Sequence, residues 1–162
     1  MTTVLHTARL DLVLLEPETA RALATGTNPD GSTWGPGYPL AASLLYAELT
    51  TAAADGGRPL GPFGTYQVVR RADGEVIGDA GFLGPPDATG AVHLAIVITE
   101  PARRRGYATE AVSALLEWAR TQDGLTCVLA DTTRTNRAAQ RLLERVGMQP
   151  VGRDDQLLYY MA

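Results

Sequence analysis

Residues 103–108 read R-R-R-G-Y-A and run straight into a long amphipathic stretch. A helix start already carries partial positive charge and unpaired N–H groups, so cations crowded there are unfavourable unless an anion binds. Gly106 tolerates positive φ and lets backbone approach a bulky ligand closely. The N–H groups around Arg104, Arg105, Gly106, Tyr107 and Ala108 would then converge on one point, where a diphosphate could accept several charge-assisted hydrogen bonds. Arg103 and its two neighbours would add charge at the rim. A solvated basic turn is the alternative reading of the same six residues.

Other chemistries are excluded by what is missing. All 14 basic residues are arginine, so there is no lysine for a Walker loop, a pyridoxal Schiff base or an amine nucleophile. His6 and His93 are the only histidines, which rules out a His-rich metal site, and we expect no metal. Neither a G-x-S-x-G elbow nor a G-x-G-x-x-G after a strand occurs. The single cysteine, Cys127, lies in an apolar run with no histidine close in sequence and reads as buried core. One cysteine allows no internal disulfide, which suggests the cytoplasm. A net charge of −4 argues against general nucleic-acid binding. No apolar run is long enough to span a membrane, and the N-terminus lacks the apolar core of a signal peptide.

The elements that must position the basic hexapeptide follow from periodicity. Residues 4–15 alternate and predict one strand; 18–24 predict a short helix. The Gly- and Pro-rich 26–39 predict a loop, 40–54 a helix opened by Pro39, and 56–64 a second loop. Runs 65–71 and 75–84 flank Asp73-Gly74, a hairpin signal, and 91–99 adds a third strand of the meander. Ala108, Ala111, Val112, Leu115, Leu116 and Ala119 repeat at helical spacing. The apolar run 125–130 predicts a buried strand reached by a parallel crossover. A second amphipathic helix over 133–147 and strands over 149–154 and 156–161 complete the order β-α-α-β-β-β-α-β-α-β-β. At 162 residues this is one α+β domain, 1–162.

The hexapeptide resembles the [Q/R]-x-x-G-x-[G/A] signature of the GNAT superfamily of N-acetyltransferases, with Arg103, Gly106 and Ala108 at its defined positions. TARLDL, DGEVIGDAGF, GYATEAVSALLEWA and TNRAAQRLLERVGM resemble, in the same order, the branch of ribosomal-protein N-terminal acetyltransferases. The resemblance covers nearly the whole chain. It implies a mixed, mostly antiparallel central sheet with helices on both faces and a fourth and fifth strand that splay apart. It also implies binding of acetyl-CoA, with the pyrophosphate at the arginines and the pantetheine arm paired to the fourth strand at Ile96, Val97 and Ile98. Asn136 matches a family Asn that bonds the cofactor arm; the residue reads equally as a helix N-cap.

The implied reaction is direct acetyl transfer to a primary amine, on a peptide N-terminus or a small molecule. Where the branch often has Glu in E-I-G-Y, this chain has His93 in H-L-A-I, and an imidazole with a pKa of about 6.5 suits a general base at neutral pH. The family's usual proton donors are replaced by Leu143 and Ala139. Tyr107, Tyr159, Tyr160 or solvent would have to substitute. Trp34 and Tyr38 are candidate walls of the acceptor pocket, or core residues. A weakly basic amine is favoured because more of it is neutral. A catalytically idle acyl-CoA-binding module is the alternative, and a domain that docks an acidic partner is disfavoured by the negative net charge. A monomer or homodimer is expected.

Overall fold

The computed structural model describes residues 1–28 and 31–162; Pro29 and Asp30, in the loop expected over 26–39, lie outside the described residues. The strands are β1 Val4–His6, β2 Leu10–Leu14, β3 Thr33–Trp34, β4 Thr65–Arg70, β5 Glu75–Phe82, β6 Ala91–Ile98, β7 Cys127–Thr133, β8 Gln149–Arg153 and β9 Leu157–Met161. The helices are α1 Pro17–Ala24, α2 Ala41–Asp55, α3 Tyr107–Ala119 and α4 Arg137–Arg145. The strands lie in the order β1-β2-β4-β5-β6-β7-β9-β8, with β3 beside β5. Among the described residues only β6–β7 and β3–β5 are parallel. The result is the expected α+β architecture with a mostly antiparallel sheet.

Two local readings change. The strand expected over 4–15 is a hairpin, β1 pairing β2 with Val4 opposite Val13. The turn forms because the Thr7 N–H donates to the Leu10 carbonyl at 2.9 Å, and the Thr7 hydroxyl takes the Leu10 N–H at 3.0 Å. Apolar alternation runs on through the turn, which hides it. Within the loop, β3 fills the edge of β5 that β6 leaves open: β6 pairs residues 78–82 of β5, and β3 pairs Glu75 and Val76. Two residues are too few to leave a periodic signal.

Alternation along the strands separates two cores. Leu12, Tyr66, Val68, Ile77, Phe82, Val92 and Leu94 face α3 through Ala111, Val112, Leu115 and Leu116. On the other face Leu15, Val76 and Tyr38 meet Ala20 and Leu23 of α1 and Ala47 of α2. Helices therefore cover both faces. The buried residues of α2 are Ser43, Ala47 and Thr50, so this helix meets the sheet along an unusually polar seam. No helix among the described residues is long and apolar enough to cross a membrane.

Candidate active site

The site begins where β6 and β7 part. Their register runs only from Ala91–Cys127 to His93–Leu129. Beyond it, β7 pairs only with β9 and β6 only with β5. Backbone groups alternate in an antiparallel ladder. The Leu83 N–H donates to the His93 carbonyl and the Thr99 N–H to the Ile77 carbonyl, so residues 93, 95, 97 and 99 bond toward β5. Ile96 and Ile98 thus turn their backbone into the gap, whereas the backbone of Val97 is engaged opposite Asp79. Arg103 Nε donates to the Ile98 carbonyl at 2.9 Å, which ties the arginine loop to the end of β6.

The start of α3 is open. Its N-cap is Gly106, at φ +81°, with no side-chain cap. The first bond into the helix is Glu110 N–H to the Gly106 carbonyl at 3.1 Å. The N–H groups of Tyr107, Ala108 and Thr109 meet no acceptor among the described residues, as expected of an uncapped first turn. Arg104 adopts φ +62°, a left-handed conformation that favours glycine. Arg103, Arg104 and Arg105 are exposed. On the far side of this loop, Arg105 and Tyr107 line a cleft of about 420 Å³ with Arg70, Glu75, Pro36 and Thr99. That cleft lies against the β4–β5 hairpin rather than β7.

His93 is exposed, on the face of β6 opposite buried Val92 and Leu94, and its ring makes no hydrogen bond among the described residues. The hydrogen bonds of Thr89 and Ala91, with the nearby His93, hold the Asp87 carboxyl below its usual range. Asn136 is the N-cap of α4: its Oδ1 accepts from the Ala139 N–H at 3.1 Å, leaving Nδ2 unused. Leu143 is buried core. The substitute donors have different surroundings. Tyr107 lies under Arg9, whose guanidinium carbon is 4.5 Å from the ring centroid. Tyr159 donates to Asp154 at 2.6 Å, and Tyr160 is buried. Trp34 and Tyr38 pack edge-to-face in the second core, with centroids 5.9 Å apart. Cys127 is half-buried rather than core, because it stands at the first residue of β7 beside a cleft of about 230 Å³.

Sequence reasoning missed three functional candidates. Thr7 and Arg9 hold the first turn of α3 through Glu110. Asp79 is a fully buried carboxyl on the α2 side of the sheet. TARLDL contained the first pair only as part of a resemblance, and nothing local singled out Asp79.

These elements define the class: an α+β fold whose mixed sheet opens at its middle beside an uncapped helix start. The chain belongs to the GNAT acetyltransferase family, since residues 9–149 match the family described as acetyltransferase (GNAT) domain. It is 31% identical over 85 residues to the uncharacterized N-acetyltransferase YjdG of Bacillus subtilis (strain 168). That match covers 52% of this chain and 51% of YjdG, so it spans about half the length of that relative. Among solved structures, the acetyltransferase from Agrobacterium tumefaciens is similar at 25% identity and TM-score 0.66, covering 99% of this chain and 94% of that one. The ribosomal alpha-N-protein acetyltransferase RimL, solved in complex with coenzyme A, shares the fold at 12% identity and TM-score 0.71, covering 99% and 97%.

Proposed function

We propose that the protein is an N-acetyltransferase that moves the acetyl group of acetyl-CoA to a primary amine by direct attack. The observation that carries the reading is the open first turn of α3, rimmed by Arg103, Arg104 and Arg105, at the end of the strand that borders the gap. The diphosphate would meet the N–H groups of Tyr107 and Ala108 across Gly106, where a side chain would intrude. Ile96 and Ile98 would offer backbone to the pantetheine arm, and Asn136 its unused Nδ2. Val97 would contribute through its side chain, since its backbone is engaged by β5.

The thioester supplies an activated acetyl group. The chain has to strip the amine of its proton and hold it beside the gap. His93 would take that proton, being exposed and unbonded on the strand that borders the gap. Protonation of the leaving thiolate falls to solvent, because Leu143 and Ala139 carry no acidic proton, Tyr107 lines the cleft beside Arg70, Tyr159 is bonded to Asp154 and Tyr160 is buried. The same Leu143 and Ala139 favour a second reading, an acyl-CoA-binding module without turnover. Residues 1–162 would act as one cytoplasmic domain, monomeric or homodimeric.

A screen that follows release of the free CoA thiol across peptides and small amines tests the proposal. Turnover on an amine supports it. Tight acetyl-CoA binding with no turnover on any acceptor supports the idle module.

A further inference from the structure

Glu110 sits in the first turn of α3. An acid there is drawn to the helix start and would compete with a bound anion for it. In this structure the acid is turned away. Its Oε1 accepts from the Thr7 hydroxyl at 2.6 Å and from the Arg9 N–H at 2.7 Å, and its Oε2 accepts from Arg9 Nε at 2.7 Å. Arg9 Nη1 reaches on to the Arg105 carbonyl at 2.9 Å. The Arg9 guanidinium also covers the Tyr107 ring, and a Cβ at Gly106 would lie 3.3 Å from Arg9 Nη2. One guanidinium therefore touches Arg105, Tyr107 and Glu110 and closes over Gly106. Burial raises the Glu110 carboxyl, but these hydrogen bonds and the Arg9 charge outweigh it and hold the group below its usual range. The acid is thus committed to the β1–β2 turn.

We infer that Arg9 is a positioning residue for the diphosphate: the β1–β2 turn, through Thr7 and Arg9, binds Glu110 and the Arg105 carbonyl and so sets the shape of the 103–108 loop and frees the first N–H groups of α3 for the anion. Two of the three guanidinium nitrogens, Nε and Nη1, are spent in the clamp. This inference rests on the acyl-CoA reading above.

Calorimetry with CoA, dephospho-CoA and pantetheine tests the inference, on wild type and on Arg9→Ala, Arg9→Lys and Glu110→Ala, each checked for folding by circular dichroism. CoA and dephospho-CoA carry the diphosphate and pantetheine does not. Arg9→Ala is expected to weaken the first two about tenfold or more, the worth of one charge-assisted bond, and to leave pantetheine within about twofold. In turnover the loss falls on KM for acetyl-CoA, with kcat kept. Arg9→Lys should fail to rescue, because a single ammonium cannot span Glu110 and the Arg105 carbonyl. Glu110→Ala gives a test of sign. If charge alone acts, removing an anion beside the diphosphate tightens CoA; if the clamp acts, CoA weakens. A tighter Glu110→Ala, a full rescue by lysine, or an equal loss for pantetheine overturns the inference. A wild type that ignores all three ligands overturns the acyl-CoA reading itself.

Discussion

Asp79 on β5 stands directly across the ladder from Val97 on β6, and its carboxylate is closed over by hydroxyls with no cation. Tyr38 donates to Oδ1 at 3.0 Å and Ser43 to Oδ2 at 2.5 Å, while Gln67 donates to the Tyr38 oxygen at 3.1 Å. Burial pushes the Asp79 carboxyl up to about 6, against the pull of the Ser43 and Tyr38 hydrogen bonds. Burial and the Asp79 charge raise Tyr38 and Tyr46, so both stay neutral through this range.

The folded protein therefore holds the protonated acid more readily than the unfolded chain does. Its stabilising share is complete below about pH 4, the ordinary carboxyl range, and is lost as pH rises through about 6. Asp79→Asn cannot lose it. Relative to wild type, that variant should gain on the order of 3 kcal/mol between pH 4 and pH 7.5 in urea unfolding. Parallel stability profiles for the two proteins would show that Asp79 is ionised and at ease when buried.

Gly78 lies one residue earlier on β5, opposite Ile98. A Cβ built there would stand 2.1 Å from the Val97 carbonyl oxygen and 3.0 Å from Ile98 Cα, both of them backbone. Neither can swing away as a side-chain tip would. Gly78→Ala must push β6 aside at the strand that borders the gap, at a cost of about 3 kcal/mol or more, the upper range for overpacking. A melting temperature within about two degrees of wild type would show that the ladder has slack there.

Arg104 gives the opposite sign. Its φ of +62° costs an L-residue about 1–2 kcal/mol, which glycine does not pay. Arg104→Gly should raise the melting temperature of the free protein by about 2–4 °C per kcal/mol recovered. The same change removes a cation from the diphosphate rim, so acetyl-CoA should bind several-fold more weakly, with the difference shrinking in high salt. Stabilisation without loss of affinity would make the arginine incidental to binding.

What could be read from the chain alone was what is local. The helical spacing of Ala111, Val112, Leu115 and Leu116, the Asp73-Gly74 turn and R-R-R-G-Y-A each declare themselves within one or two turns of chain, and each matches an element of the fold. The Arg9–Glu110 pair joins residues 101 apart in sequence, and the Tyr38–Asp79 pair joins residues 41 apart. No window of periodicity spans those distances. The hairpin β1–β2 was hidden for another reason: Val4 and Ala8 fall in step with Leu10, Leu12 and Leu14 on either side of Thr7, so the partial apolar alternation reads straight through the turn.

His93 carries the last prediction. It is exposed, unbonded and placed on β6 at the last residue still paired with β7, three residues before Ile96. If it deprotonates the amine, kcat/KM should rise with pH. Acceptors of different pKa separate the enzyme's share of that rise from the ionisation of the amine itself. His93→Ala should lower kcat/KM by roughly 10²–10⁴, the usual worth of general acid–base catalysis. Acetyl-CoA affinity should hardly change, since the proposed cofactor contacts begin at Ile96. His93→Glu should restore part of the rate, because it returns a carboxylate base to the same strand position. An Ala variant within about threefold of wild type would take His93 out of the mechanism and leave the amine to lose its proton to solvent or to a group of the acceptor pocket.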